Sequence, residues 1–337
     1  MHSLHVKTPL LESHPLSRKA KCSVYIKLDN VQPCGSFKIR GVGNLCQKAV
    51  QRGSQHLVCS SGGNAGLAAA YSARMLDTPC DIIVPSTTPE SMVVRLREEG
   101  ANVTVHGDVW DEADGYARKL VQEKGYTYVP PFNHPDIWEG VASVIHESSE
   151  QIKNKPDVVV VCVGGGGLLC GVLQGLHDVG WKDVPVIAME TEGANSFEAS
   201  VKAGELVTLD GIRSIAKTLG ATRVAERALE WTKEHNVISC VCTDSQAVNA
   251  CERFAKCATI WYQMPPGDDH RMLVEPSCGA TLAAIYENIL PKLQVDGRLG
   301  TIKTALVIVC GGNMVTIEQL LKWKTQLRLN EVNQKVL

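Results

Sequence analysis

Four consecutive glycines, Gly164 to Gly167, are the most distinctive chemical feature of this sequence. They follow an apolar run at residues 158–163 and precede a helix-length segment that begins at Leu168. A backbone without side chains can approach a ligand closely, and its N–H groups and the positive end of the next helix favour an anion. Four glycines also lose much entropy on ordering, which a simple flexible turn explains poorly. The run therefore predicts a phosphate-binding loop.

The glycines alone leave the phosphate compound open. A dinucleotide fingerprint G-x-G-x-x-G counted from Gly164 needs glycine at position 169, where the chain has Leu169. Glu190, at the end of the next apolar run, could still bind a ribose, so a nicotinamide-dependent oxidoreductase remains an alternative. No lysine of the Walker type follows the glycines, which excludes a P-loop.

A second cluster, Ser61-Gly62-Gly63-Asn64-Ala65-Gly66, also lies between a strand-like and a helix-like segment. Hydroxyls, an amide and free backbone N–H groups at a helix start suit a carboxylate or another small anion. The same composition is common in helix N-caps, so Ser61 or Asn64 capping a helix is an equally local explanation.

Lys38 lies in a third segment, Ser36-Phe37-Lys38-Ile39-Arg40-Gly41. A single lysine at a helix start is usually a solvated surface charge. A lysine that forms a Schiff base needs a partly dry pocket that favours its neutral amine, and a carbonyl partner to attack. Lys38 becomes a candidate only together with the two glycine-rich loops.

The elements that must position these loops alternate along the chain. Valine- and isoleucine-rich runs of strand length occur at residues 56–59, 81–84, 102–105, 158–163, 184–189 and 305–309. Helix-length segments lie between them, at residues 65–75, 111–124, 168–176 and 280–289. Such alternation predicts an α/β fold with open, mostly parallel sheets that carry helices on both faces.

Composition limits the class of protein. The chain has 337 residues, 34 basic and 36 acidic, so no strong charge directs it to nucleic acid or to a membrane surface. No apolar run reaches the roughly 20 residues that span a bilayer. The residues from Met1 to His5 lack the charged and apolar regions of a secretion signal, so we do not expect secretion. The 13 cysteines, without zinc-ligand spacing, are typical of reduced thiols. We expect a cytoplasmic protein.

Together the three segments resemble the signatures of fold-type II pyridoxal-phosphate enzymes, and within them the L-serine dehydratase and serine dehydratase-like family. The similarity extends from about His5 to about Leu327. It includes His5-Val6-Lys7-Thr8-Pro9, Pro130-Pro131-Phe132, Ile137-Trp138-Glu139-Gly140, Ala188-Met189-Glu190-Thr191, Leu273-Val274-Glu275-Pro276 and Val307-Ile308-Val309-Cys310-Gly311-Gly312.

The resemblance implies a role for each matching residue. Lys38 would hold pyridoxal 5'-phosphate as a Schiff base, Phe37 would cover one face of its ring, and Cys310 would face its ring nitrogen. Asn64 would bond the phenolic oxygen of the cofactor. The phosphate would lie on Gly164, Gly165, Gly166, Gly167 and Leu168. The substrate carboxylate would lie on Ser61, Gly62, Gly63, Asn64 and Ala65.

The resemblance also implies features beyond these residues. A potassium ion would be bound by Gly164, Glu190, Ala194, Leu219 and Ala221. A large cofactor-binding domain would comprise residues 1–34 and 137–327, a small substrate-binding domain residues 35–136, and a polar tail residues 328–337. The protein would be a homodimer, without the regulatory domain of biosynthetic threonine deaminases.

The implied reaction is deamination of a small amino acid. L-serine would yield pyruvate and ammonia, and L-threonine 2-oxobutanoate and ammonia, after Lys38 removes the α-proton; such an activity serves amino-acid metabolism and gluconeogenesis. Serine racemase is the nearest alternative in the fold, and a silent ligand-binding protein is another. Serine racemases carry a serine hydroxyl where this chain has Gly62, which argues against racemisation.

Two departures from the family pattern affect the expected rate. Thr218 stands where the family often has alanine or serine, which predicts a tighter pocket. Residues 256–267 are expected to be an insertion that impairs stability or activity.

Overall fold

The computed structural model describes residues 3–255 and 270–334, with side chains as far as Leu327. The expected insertion at 256–267 lies outside the described residues. Within them, the strands form two separate sheets. The larger has the order β1-β2-β10-β7-β8-β9, and the smaller has the order β5-β4-β3-β6.

The larger sheet is parallel except at one edge, where β1 runs antiparallel to β2. Its strands are β1 (Leu10–Glu12), β2 (Ser23–Leu28), β7 (Val158–Cys162), β8 (Val186–Thr191), β9 (Val237–Cys242) and β10 (Thr304–Val309). Every residue of β7 and β8 is buried, as expected for parallel strands that helices cover on both faces. The smaller sheet is parallel throughout, with β3 (Leu57–Cys59), β4 (Cys80–Val84), β5 (Asn102–Val105) and β6 (Thr127–Tyr128).

Helices follow almost every strand. They are α1 (His14–Ala20), α2 (Lys38–Gln51), α3 (Asn64–Met75), α4 (Glu90–Glu98), α5 (Trp110–Lys124), α6 (Pro135–Gln151), α7 (Gly167–Asp178), α8 (Ser196–Ala203), α9 (Glu226–Glu234), α10 (Asp244–Ala255), α11 (Pro276–Tyr286), α12 (Ile289–Val295) and α13 (Ile317–Gln334). Among the described helices, none is long and apolar enough to cross a membrane. The predicted α/β architecture is confirmed.

Three details differ from the sequence-based expectation. The single helix expected at 280–289 is two helices, because Asn288 adopts a left-handed conformation (φ 55°) between α11 and α12. Strands β1, β2, β6 and β9 were not predicted, since their apolar runs are brief or mixed with polar residues. Helix α13 extends to Gln334 and so includes most of the segment expected as a polar tail.

The two sheets draw their strands from the two segments expected to be domains: β3 to β6 lie within residues 35–136, and the other strands outside them. Helix α2 joins the two parts, because it packs against both α3 and α6. The domain boundaries themselves stay a prediction.

A buried ionic cluster anchors the first turn of α2 to the larger sheet. The Arg40 guanidinium donates to Asp29 Oδ2 at 2.7 Å and to Glu147 Oε1 at 2.7 Å, and Lys27 Nζ donates to Glu147 Oε2 at 2.6 Å. Arg40, Lys27 and Asp29 are fully buried. A buried charge is tolerated only when it is paired, so these contacts restrict how α2, which begins at Lys38, can move.

Candidate active site

A cavity that is partly open to solvent lies where β7 and β10 end. Parallel strands present their carboxyl ends at one edge of the sheet, which brings the loops after these strands together. The cavity is lined by residues from both sheet regions: Ser36, Phe37, Lys38, Asn64, Phe132, Cys162, Gly164, Gly165, Gly166, Gly167, Leu168, Thr218, Leu219, Ser277, Cys310 and Gly311. All the residues expected to bind the cofactor therefore meet in one place.

The glycine loop packs so closely against Phe132 that it has no room for side chains at Gly165 and Gly167. A Cβ atom on Gly165 would lie 2.3 Å from two ring atoms of Phe132, and one on Gly167 would lie 3.0 Å from the Phe132 carbonyl oxygen. Gly166 has φ of 89° and caps α7, whose first-turn N–H groups have no partner inside the helix. The loop is thus a backbone cradle at a helix N-terminus, which fits a phosphate group.

Lys38 begins α2 and lines the same cavity as the glycine loop. Its Nζ donates to the Pro131 carbonyl oxygen at 2.7 Å and lies 5.3 Å from the centroid of the Phe37 ring. Desolvation by the surrounding protein lowers the pKa of Lys38 to about 8. A neutral amine is therefore accessible near physiological pH, as a Schiff-base lysine requires.

Cys310 follows β10 and faces the cavity from the larger sheet. Its carbonyl oxygen accepts from Phe37 N at 3.0 Å, and its Sγ lies 3.5 Å from Cys162 Sγ. Hydrogen bonding with Cys162 and Cys278, and burial, raise the pKa of Cys310 well above its ordinary value. The group offered to the cavity here is therefore a neutral thiol.

The segment from Ser61 to Gly66 turns tightly before α3. A Cβ on Gly66 would lie 1.8 Å from the Ser61 carbonyl oxygen, so this position needs glycine. The cap of α3 is Gly63, and no side chain caps it, so the idea that Ser61 or Asn64 serves as an ordinary N-cap is wrong. Ser61 Oγ instead accepts from Gly63 N at 3.3 Å. No side chain therefore caps the first turn of α3.

Gly62 is packed against Thr88. A Cβ at this position would lie 2.8 Å from Thr88 Cγ2 and 3.0 Å from Thr88 Oγ1. A side chain cannot be added there unless Thr88 moves. Sequence reasoning named Gly62 but missed Thr88, which comes from the loop after β4 and carries no local signature.

Two of the expected cation ligands, Gly164 and Leu219, lie against each other. Gly164 packs closely on Leu219, with a built Cβ 3.0 Å from Leu219 Cα. The buried Glu190 carboxylate accepts from Phe197 N at 2.9 Å and Glu198 N at 2.8 Å, at the start of α8. Burial raises the pKa of Glu190 to about 8. The five-residue potassium site stays a prediction.

Glu275 lies next to the cavity and contacts residues that line it. The sequence placed it in the motif Leu273-Val274-Glu275-Pro276 but gave it no role. Its side chain is 2% exposed and lies just before α11. It accepts from Asn64 Nδ2, from Thr218 Oγ1 at 2.7 Å and from Met314 N at 2.7 Å. The Thr218 hydroxyl also lies 2.8 Å from that of Ser277, so Thr218 does face the site.

This fold, with a lysine and a glycine-rich phosphate cradle meeting at the carboxyl ends of parallel strands, is that of a pyridoxal-phosphate-dependent α/β enzyme. The chain belongs to the pyridoxal-phosphate dependent enzyme family, whose model matches residues 2–311.

Comparison with individual proteins shows which members of this family the chain is similar to. It is 51% identical over 333 residues to the L-serine dehydratase/L-threonine deaminase of Bos taurus, covering 98% of each chain. It is 52% identical over 324 residues to the serine dehydratase-like protein of Rattus norvegicus, covering 96% of this chain and 95% of the relative. The crystal structure of a fungal L-serine ammonia-lyase from Rhizomucor miehei has a TM-score of 0.86 and 39% identity, covering 96% of this chain and 99% of that one. The resemblance expected from the motifs is confirmed.

Proposed function

We propose that this protein is a pyridoxal-phosphate-dependent ammonia-lyase that converts L-serine to pyruvate and ammonia, and L-threonine to 2-oxobutanoate and ammonia. The observation that carries the proposal is the meeting of Lys38, whose pKa is lowered to about 8, with the Gly164 to Gly167 cradle in one cavity. The printed names of relatives at about 50% identity support the substrates. Family membership favours this reaction over a nicotinamide-dependent one.

The residues present fit the cofactor. Gly164 to Gly167 and the N–H of Leu168 would hold its phosphate, and Lys38 would hold it covalently. Phe37 would lie against its ring, Asn64 beside its phenolic oxygen, and the neutral Cys310 thiol beside its ring nitrogen. When bound, pyridoxal phosphate supplies an electron sink for the pair left when the α-proton departs.

Lys38 is the residue of this chain that would accept and release the proton. An amine with a pKa of about 8 can accept a proton near neutral pH and release it again, which is what a general base and acid must do. Lys38 lines the cavity, and its Nζ donates to the Pro131 carbonyl oxygen at 2.7 Å. Lys38 is therefore placed to take the α-proton of the substrate.

The turn from Ser61 to Ala65 would orient the substrate. Its free N–H groups at the start of α3, and the Ser61 hydroxyl, would hold the carboxylate. Gly62 offers no hydroxyl to the opposite face of the substrate, and Thr88 fills the space where a side chain would lie. Elimination is therefore favoured over racemisation.

Several finer features belong to the same proposal. The carbonyl oxygens of Gly164, Ala194, Leu219 and Ala221, with the Glu190 carboxylate, would bind potassium near the phosphate loop. The protein would act in the cytoplasm as a homodimer, in amino-acid metabolism and gluconeogenesis. Replacement of potassium by lithium, followed by cofactor affinity, tests the cation; sedimentation analysis tests the dimer.

The decisive experiment combines spectroscopy with product analysis. After addition of pyridoxal phosphate, the protein should show a visible absorbance band that borohydride removes, and peptide mapping should find the label on Lys38. The same preparation should release pyruvate from L-serine and 2-oxobutanoate from L-threonine, and it should leave D-serine unchanged. Absence of the band, or a label on another lysine, would refute the proposal.

A further inference from the structure

The carboxylate of Glu275 is held by neutral donors from separate parts of the chain. Asn64 Nδ2 lies 3.0 Å from Oε1 and 3.1 Å from Oε2. Thr218 Oγ1 donates to Oε2 at 2.7 Å, Met314 N donates to Oε1 at 2.7 Å, and Ser277 Oγ lies 3.4 Å from Oε2. Hydrogen bonds to a buried carboxylate are among the strong ones, so this group organises the side chains around it.

These contacts determine which way the Asn64 amide faces. Asn64 Oδ1 accepts from Asn313 N at 3.1 Å, while Nδ2 faces Glu275. A rotation of the amide by 180° would place its oxygen against the carboxylate and its NH₂ against the Asn313 N–H, so both contacts would become repulsive. One amide hydrogen can be shared between the two Glu275 oxygens, which leaves the second for the cavity that Asn64 lines.

The Glu275 side chain is itself fixed in place. The chain after β10 passes directly over it, and a Cβ on Gly312 would lie 2.1 Å from Glu275 Cδ. Gly312 has φ of 119°, a conformation that favours glycine. The carboxylate is thus enclosed between this loop and the start of α11, and it links the larger sheet to α3 of the other part.

We infer that Glu275 is a positioning residue that holds the Asn64 amide with its nitrogen toward the cavity, so that Asn64 meets the cofactor as a hydrogen-bond donor. The inference rests on the proposed function. It assigns Glu275 an effect on cofactor binding although Glu275 does not line the cavity. Thr218, which also lines the cavity, is held by the same carboxylate.

The test is a titration of the cofactor-free protein with pyridoxal phosphate, followed by the absorbance of the bound cofactor. Glu275→Leu removes both acceptors and should weaken cofactor affinity by about tenfold or more, the equivalent of one charge-assisted hydrogen bond. Glu275→Gln should recover most of the affinity. Its amide oxygen can still accept from Asn64 and Met314, and its NH₂ can donate to the Thr218 hydroxyl. Glu287→Gln, an exposed position just after α11, is the matched control and should bind as the unaltered protein does.

A double-mutant cycle separates positioning from a general structural role. In an Asn64→Ala background, Glu275→Leu should cost little further cofactor affinity, because its effect passes through Asn64. Equal losses in both backgrounds, or unchanged affinity in Glu275→Leu, would overturn the inference. If Glu275→Leu does not fold, as judged by circular dichroism, Glu275→Gln carries the test, with a loss of roughly threefold that vanishes without Asn64. An unchanged affinity would then overturn it.

The unaltered protein keeps the two proposals distinguishable. If it binds no pyridoxal phosphate at Lys38, the proposed function fails. If it binds the cofactor normally and the Glu275 variants do the same, only the positioning role fails.

Discussion

The lowered pKa of Lys38 predicts that its amine reacts at a pH where other lysines do not. With a pKa of about 8, roughly 10% of the amine is neutral at pH 7, against roughly 0.03% for an ordinary lysine. The cause is desolvation in the cavity, which disfavours the charged form. Lys38 of the cofactor-free protein should therefore acquire acetyl groups from acetic anhydride with a midpoint near pH 8. Below that pH the amine is protonated and unreactive.

Lys48 provides the control on the same helix. Its Nζ lies 2.9 Å from Asp136 Oδ1 and also pairs with Glu139, and these hydrogen bonds raise its pKa. Lys48 should therefore be modified only at a higher pH than Lys38. Mass spectrometry of the peptides, after modification over a series of pH values, measures both midpoints in one sample. Each midpoint is read from the pH dependence of a single lysine, so a difference in accessibility between the two lysines does not affect the comparison. If the Lys38 midpoint coincides with that of Lys48, the desolvated pocket does not lower the pKa of the Lys38 amine, and the reasoning is refuted. Bound pyridoxal phosphate should protect Lys38 alone.

Three further predictions concern the cradle, the substrate turn and the ionic cluster. Gly165→Ala places a methyl group 2.3 Å from an aromatic ring and should cost about 1–3 kcal/mol of stability and weaken cofactor binding; Gly115→Ala, with nothing within 4 Å, should stabilise α5 and leave binding unchanged. Gly62→Ser should lower lyase activity and yield no D-serine by chiral chromatography, whereas adding Thr88→Ala should restore part of the activity; full activity of Gly62→Ser alone would contradict the packing. Glu147→Gln leaves two buried cations without their shared partner and should lower the free energy of unfolding by about 3–5 kcal/mol at pH 7. Because paired cations lower the pKa of Glu147 below its usual 4.5, its stabilisation should be present above pH 4.5 and lost as the pH falls, and the variant should lack this dependence in denaturant titrations.

The valine- and isoleucine-rich strands β7, β8 and β10 could be predicted from the sequence, whereas β1, β2, β6 and β9 could not. Residues 158–163 and 305–309 are rich in valine and isoleucine because both faces of β7 and β10 are covered by helices. The antiparallel β1 has only three residues, and its burial is partial, so its sequence has no apolar run. Its identity as a strand depends on pairing with β2, a contact that the local sequence does not encode.

The same distinction separates the site residues that were found from those that were missed. A glycine cradle is recognisable because its function requires several special residues in a row, as in Gly164 to Gly167. Thr88 and Glu275 act through contacts with distant segments, and their immediate neighbours are ordinary. Thr88 matters only because Gly62 lacks a side chain, and Glu275 only because Asn64 must face one way. Substitutions at such positions should therefore alter cofactor binding or reaction outcome while every recognisable motif stays intact. A chain that keeps Lys38 and both glycine loops but loses either contact is expected to bind or react differently from this one.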